Sequence, residues 1–179
     1  PGMNSLLPAD VAVTSVRRVS DTFNARLTRG KLYEYVIRNA RIPNPIATRY
    51  EWHCFKPLDL DAMREAAACM VGAYNFKSFQ ASDCERENTE RTLTRVDVIA
   101  DGELIRIKVG GTAFLKNMVR IIAGTLFAVG RGTFTPRRVK DIILAQDRTL
   151  AGPTLPAKGL TLLKVIYGDE DDSWLHPGE

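Results

Sequence analysis

The chain has 179 residues, 45% of them hydrophobic and 26% charged. That is the composition of one globular domain with or without an annex, long enough to bury roughly 70% of the surface that its unfolded form exposes. Three scattered cysteines (Cys54, Cys69, Cys84) without a C-x-x-C pair, and two histidines (His53, His176), argue against a zinc or iron–sulfur site and against a disulfide framework, and suit a reducing cytoplasm. No run approaches the roughly 20 apolar residues of a membrane span, and no signal peptide is visible.

In chain order, residues 1–9 are a loop, and Val11, Val13 and Val16 alternate as in an interrupted strand over Asp10–Val19. Lys31–Asn39 alternates strongly, with Tyr33, Tyr35 and Ile37 on one face. Prolines 43 and 45 break the chain before a short strand at Arg49–Phe55. Asp59 caps a helix whose apolar face is Ala62, Met63, Ala66, Ala67, Met70 and Val71, with Gly72 as its end. Residues 74–90 are polar and loop-like. Arg91–Ala100 and Glu103–Val109 form a hairpin across Asp101-Gly102. A helix over residues 114–129 follows, then a shorter one from Pro136 to Ala145, a loop, and a last strand at Gly159–Tyr167.

From Arg49 on, this order is β-α-β-β-α-(α)-β. It predicts an α+β fold of the ferredoxin-like, split βαβ kind, an antiparallel sheet with helices on one face. Three spans result: 1–48, a connecting segment that includes strand 31–39; 49–167, the α+β domain; and 168–179, an acidic tail carrying Asp169, Glu170, Asp171, Asp172 and Glu179.

Two features bear on function. Arg26–Arg49 holds six basic residues and one acid, Glu34, which suits a polyanionic partner or a solvated strand edge. In Gly110–Gly132 the apolar stripe Leu115, Met118, Val119, Ile122, Leu126 and Val129 marks one buried helix face, and Gly130 fits a left-handed stop. Lys116, Arg120, Gly124 and Phe127 fall on the adjoining flank. An anion between Lys116 and Arg120 relieves their like-charge cost; two snorkelling basic residues on a core helix are the plain alternative. No phosphate-binding glycine loop, nucleophile elbow or metalloprotease motif is present, and the aromatic signature of an RRM is absent.

Several segments, in order, resemble the C-terminal part of the bacterial tRNA pseudouridine synthase A (TruA) family. They are Asn4–Val13 (NSLLPADVAV); Phe23-Asn24-Ala25-Arg26 with Lys31-Leu32-Tyr33-Glu34-Tyr35; Phe76–Phe79 with Glu90-Arg91-Thr92, Asn75 standing for the family's aspartate; Gly111–Gly132; and Asp147-Arg148 with Pro156-Ala157-x-Gly159-Leu160. The resemblance implies a pseudouridine synthase-like fold and isomerisation of uridine to pseudouridine in the anticodon stem-loop of tRNA (tRNA positions 38–40). It implies no metal or organic cofactor, a cytoplasmic homodimer, and tRNA spanning both subunits.

Residue by residue, the resemblance makes Tyr33 the ring that stacks on the target uracil and helps move the C5 proton, and Arg120 the partner of the catalytic aspartate. Leu160 becomes an apolar residue at the pocket floor, and Arg26, Lys31 and Lys116 phosphate contacts, each also readable as a solvated charge. Tyr35 suits a core role better. The family's G-R-T-D aspartate has no counterpart here: Gly130-Arg131-Gly132-Thr133 has another order, and the chain starts at Pro1, where the family's motif is already past. The expectation is a C-terminal part of the enzyme, inactive alone; the alternative is a stand-alone RNA-binding module of the same fold without catalysis.

Overall fold

In the computed structural model, residues 2–16 and 18–168 are described; Arg17 and the acidic segment from residue 169 on lie outside them. The sheet is organised around β1 (Gly30–Asn39). One edge of β1 runs antiparallel to β5 (Leu104–Gly111), which carries β4 (Glu90–Asp101) and then the short edge strand β3 (Gly72–Asn75). The other edge is shared. Its first half, Gly30–Tyr35, pairs antiparallel with β6 (Leu160–Ile166), and its second half, Ile37–Asn39, pairs parallel with β2 (Trp52–Cys54). The strand ahead of residue 49 is therefore the centre of the sheet. The sheet is antiparallel apart from the β1–β2 pair.

Alternation decides the two faces. The cross-strand rows Tyr33–Val109–Val96, Tyr35–Ile107–Val98 and Ile37–Ile105–Ala100 point the same way. The helices α1 (Leu60–Ala68) and α2 (Met118–Gly130) pack on that face and on each other. The core joins Tyr35, Ile37, Ile105 and Ile107 to Met63, Ala66, Ile122 and Leu126. The opposite face carries ions instead. Glu34, 8% exposed, meets Arg106 at 2.9 Å and Lys108 at 4.0 Å, and Arg38 bridges Glu51 and Glu103. Arg38, one of the six basic residues of Arg26–Arg49, is thus committed internally.

The helix starts and stops are local chemistry. Asp59 caps α1, its side chain accepting from Ala62 N at 2.9 Å. The third helix, α3, spans Arg138–Ala145. α2 begins at Met118, four residues later than its apolar spacing predicts, because Asn117 takes a left-handed φ of 59°. The expected stop at Gly130 is also displaced. Gly130 is still helical, and the left-handed residue is Gly132 (φ 72°), with Gly132 N donating to Val129 O and Thr133 N to Ala128 O. Those two bonds are the Schellman pattern.

α2 does not bury a single face. Only Arg120 and Phe127 of its residues escape full burial, so the helix lies inside the protein. What covers its outer side is a strap, residues 147–159. A Cβ on Gly124 would lie 1.8 Å from the Pro153 carbonyl oxygen, and one on Gly152 would lie 2.5 Å from the Gly124 backbone. Gly152 N donates to Thr125 Oγ1, while Arg148 holds the strap's own Gly152 carbonyl and Thr154 hydroxyl. The close approach expected at Gly124 is that of the chain's own strap.

Two more expectations fail for identifiable reasons. The described residues of Asp10–Val19 form no strand: Val11, Val16 and Val19 are exposed, and the Val13 backbone is satisfied by the Asn4 side-chain amide on both its N–H and its carbonyl. The segment read as loop from residue 74 includes part of β3, which exists because β4 extends far enough to pair with it.

Gly124→Ala drives a methyl into backbone that has no side-chain end to yield. We expect a loss of about 1–3 kcal/mol or more in urea unfolding, with Gly152→Ala behaving likewise and Gly132→Ala costing about 1 kcal/mol.

Candidate active site

The sheet and α2 diverge at the first half of β1, leaving a cavity of about 100 Å³. Tyr33 from β1, Leu160 from the start of β6, Phe114 from the β5–α2 connection, and Asn117, Met118 and Val119 from the start of α2 line it. Tyr33 and Phe114 meet edge to face at 5.0 Å between centroids, which holds the tyrosine ring while leaving it half-buried. Burial pushes the Tyr33 phenol above its ordinary value, so at neutral pH it is a protonated phenol that can stack, donate and accept.

Arg120 joins the cavity through Asn117. Its Nη1 donates to Asn117 Oδ1 at 3.0 Å, and its Nε donates to the Leu155 carbonyl at 2.6 Å. Leu155 N in turn donates to the Arg120 carbonyl at 3.3 Å. Nη2 has no partner, and no carboxylate lies within ion-pair distance of Arg120, among the described residues. A half-buried, permanently charged group aimed by two neutral acceptors, with one donor pair uncommitted, is a seat for an anion.

Tyr35 sits behind this arrangement, fully buried, with its hydroxyl donating to the Pro156 carbonyl at 2.8 Å. Burial pushes its phenol up, with the Arg120 charge acting weakly in the opposite sense. Gly159 makes the contact feasible: a Cβ there would lie 2.7 Å from the Tyr35 ring. Three residues of the segment Pro156-Ala157-Lys158-Gly159-Leu160 are thereby explained. Its first carbonyl holds Tyr35, its glycine admits the ring, and its leucine lines the cavity.

The remaining sequence candidates are placed apart. Lys31 is two residues before Tyr33 on the same face of β1 and half-buried. Arg26 lies in an exposed turn ahead of the sheet. Lys116 precedes α2 and pairs with Asp83 at 2.6 Å, so it does not share an anion with Arg120 on one helix flank. That flank is Arg120, Gly124 and Phe127, covered at Gly124 by the strap and at Phe127 by Trp52, 4.9 Å away edge on. Asn117 and Phe114 were not legible as site residues. The signal for Asn117 was its residue type, since asparagine tolerates the left-handed conformation, but an otherwise continuous helical spacing masked it.

The six-stranded sheet with its helices is an α+β domain, and its cavity sets an aromatic ring one hydrogen-bonded side chain away from Arg120. The family model for tRNA pseudouridine synthase matches residues 66–168, and the chain belongs to that family. It is 42% identical over 170 residues to the tRNA pseudouridine synthase A of Myxococcus xanthus, covering 94% of this chain and 64% of that protein. It is 41% identical over 171 residues to that of Syntrophotalea carbinolica and 44% over 167 residues to that of Pelobacter propionicus, in each case over 68% of the relative. The chain thus spans about two thirds of the length of the curated relatives it matches. No helix among the described residues is long and apolar enough to cross a membrane.

Two measurements check the geometry. Asn117→Ala must hold alanine at a positive φ, so it should unfold about 1 kcal/mol more easily than Asn117→Gly, which loses the same side-chain bond without the strain. Tyr35 keeps a neutral phenol in the fold but ionises near 10.0, its ordinary value, when unfolded. Its contribution is therefore complete below about pH 10 and lost as the pH rises beyond it. Tyr35→Phe should cost about 1 kcal/mol near neutrality and flatten that alkaline decline in a pH series of urea midpoints.

Proposed function

We propose that this chain is the C-terminal part of an enzyme that isomerises uridine to pseudouridine in the anticodon stem-loop of tRNA. Residues 49–167, together with the central strand β1 from the connecting segment 1–48, are its α+β domain, and that segment leads to the part that the relatives have and this chain does not span. The observation that carries the reading is Arg120, held by Asn117 and Leu155 beside the Tyr33 cavity with Nη2 uncommitted. The acid it fits comes from the remaining third of the protein, and the chain alone is inactive.

In the reaction the N1–C1′ bond of the target nucleotide breaks, the base turns, and a C5–C1′ bond forms. The C5 proton leaves and N1 gains one, so the product is an isomer. No electrons are gained or lost overall, and no redox or group-carrying cofactor is required. The base must leave its stack to reach a cavity of this kind. Tyr33 receives it face on, with Leu160 beneath. As a protonated phenol, Tyr33 takes the C5 proton at its oxygen while its own proton passes to solvent. Arg120 keeps the incoming carboxylate ionised and aimed. Arg26, Lys31 and, once freed from Asp83, Lys116 contact phosphates. The working protein is a cytoplasmic homodimer.

The purified chain should form no pseudouridine on unmodified tRNA, and joining it to the N-terminal part of a relative should produce turnover. In the joined protein Arg120→Leu should lower turnover by about a hundredfold, the scale of a misplaced catalytic group. Turnover by the chain alone would show that a residue of this chain replaces the acid and that the site is assigned wrongly.

A further inference from the structure

A cavity of about 490 Å³ lies at the free edge of the sheet, away from the Tyr33 site. Its walls include Tyr74 and Asn75 of β3, Arg91 and Thr92 of β4, and Thr112 after β5. We propose that this cavity seats a backbone phosphate of the tRNA next to the target nucleotide, with Arg91 as its direct ligand and Lys140, over the ring of the wall residue Tyr74, as a second cation. The inference rests on the tRNA reading above.

Arg91 carries the case. Its Nη1 donates to the Glu90 carbonyl and, at 3.4 Å, to Asn88 Oδ1. Its Nε is buried with no hydrogen-bond partner, an unfavourable state for a charged group unless something else fills it. Neither Arg91 nor Arg86 has an ion-pair partner among the described residues. Burial, and then the charge of Arg86, press the Arg91 guanidinium below its ordinary range; an anion in the cavity offsets both.

The acid in the wall, Glu90, does not satisfy Arg91. The register places Tyr74 opposite Arg91 and Asn75 opposite Glu90, so the two side chains leave β4 on opposite faces. The second cation borders the Arg91 side: Lys140 Nζ lies 3.9 Å from the centre of the Tyr74 ring. Asn75 Oδ1 already accepts from Lys77 N and Thr89 Oγ1, which fixes the wall. A phosphate oxygen offers what the site lacks, acceptors for Nε and Nη2 in the forked geometry of a guanidinium.

The path to the uridine site is short. Thr112 and Ala113 of the cavity wall run directly into Phe114, whose ring packs on Tyr33. A strand whose target base is turned into the Tyr33 cavity therefore passes its backbone along residues 112–114 toward Arg91.

The test uses this chain, an unmodified tRNA transcript and, separately, inorganic phosphate. Affinity is measured over a salt series for the wild type, Arg91→Gln, Arg91→Lys and Lys140→Gln, with melting curves for each. Arg91→Gln should weaken tRNA binding about tenfold and lower the slope of log affinity against log salt by about one. Arg91→Lys should keep the slope, and Lys140→Gln should lower it, which carries the test if Arg91→Gln fails to fold. Wild-type slope and affinity in Arg91→Gln or Lys140→Gln would overturn the phosphate seat and leave the tRNA reading standing. Loss of inorganic phosphate binding with tRNA binding intact would make it a small-anion site only and overturn it as well. If this chain binds no tRNA, the same series is run in the protein joined to the N-terminal part of a relative; no tRNA binding there either would sink the tRNA reading, and this inference with it.

Discussion

Two successive carbonyls hold the site together. The Leu155 carbonyl accepts from Arg120 Nε, and the Pro156 carbonyl accepts from the Tyr35 hydroxyl. Both belong to a strap that has no regular strand or long helix of its own. It keeps its place because Gly124 and Gly152 let its backbone touch that of α2. Remove that contact and the arginine loses the acceptor that aims it, while the central tyrosine loses the partner that justifies burying a phenol. Stability and positioning therefore converge on a few atoms between α2 and residues 152–156.

This arrangement explains why an enclosed helix tolerates an arginine. Every neighbour of Arg120 in α2 is buried, and a charge there without partners would cost several kcal/mol. Two neutral acceptors and partial solvent access make it tolerable without cancelling the charge. The charge is left one hydrogen bond from Asn117, whose side chain lines the Tyr33 cavity. The opposite face of the sheet solves the same difficulty in the other way, by pairing Glu34, Arg38, Glu51 and Arg106 among themselves, so its charges hold strands together and leave little for a ligand.

Much of the sheet could be read from the chain because its strands obey a simple period. The alternation of Lys31–Asn39, the Asp101-Gly102 turn and the closing apolar strand each survive as β1, the β4–β5 connection and β6. What could not be read depends on partners remote in sequence. β3 contains glycine and asparagine, poor strand formers, and exists through its pairing with β4. The valines of residues 11–19 alternate but find no sheet. α2 looked amphipathic because apolar spacing cannot reveal that a strap covers the remaining side. Tyr33 and Leu160, singled out by the resemblance, line one cavity, and Arg120 reaches it through Asn117. Asn117 itself was not legible in the sequence: its role follows from a single backbone torsion.

The central claim is that Arg120 is one half of an ion pair whose acid lies in the part of the protein this chain does not span. The most direct measurement is the distance from Arg120 Nη2 to the nearest carboxylate oxygen in a crystal structure of the longer protein. A carboxylate from outside this chain within about 3 Å of Nη2, the distance of a charge-assisted hydrogen bond, and facing the Tyr33 ring, is the predicted result. An Arg120 that keeps only Asn117 and Leu155 as partners, with the nearest foreign acid on another face of the sheet, would contradict it.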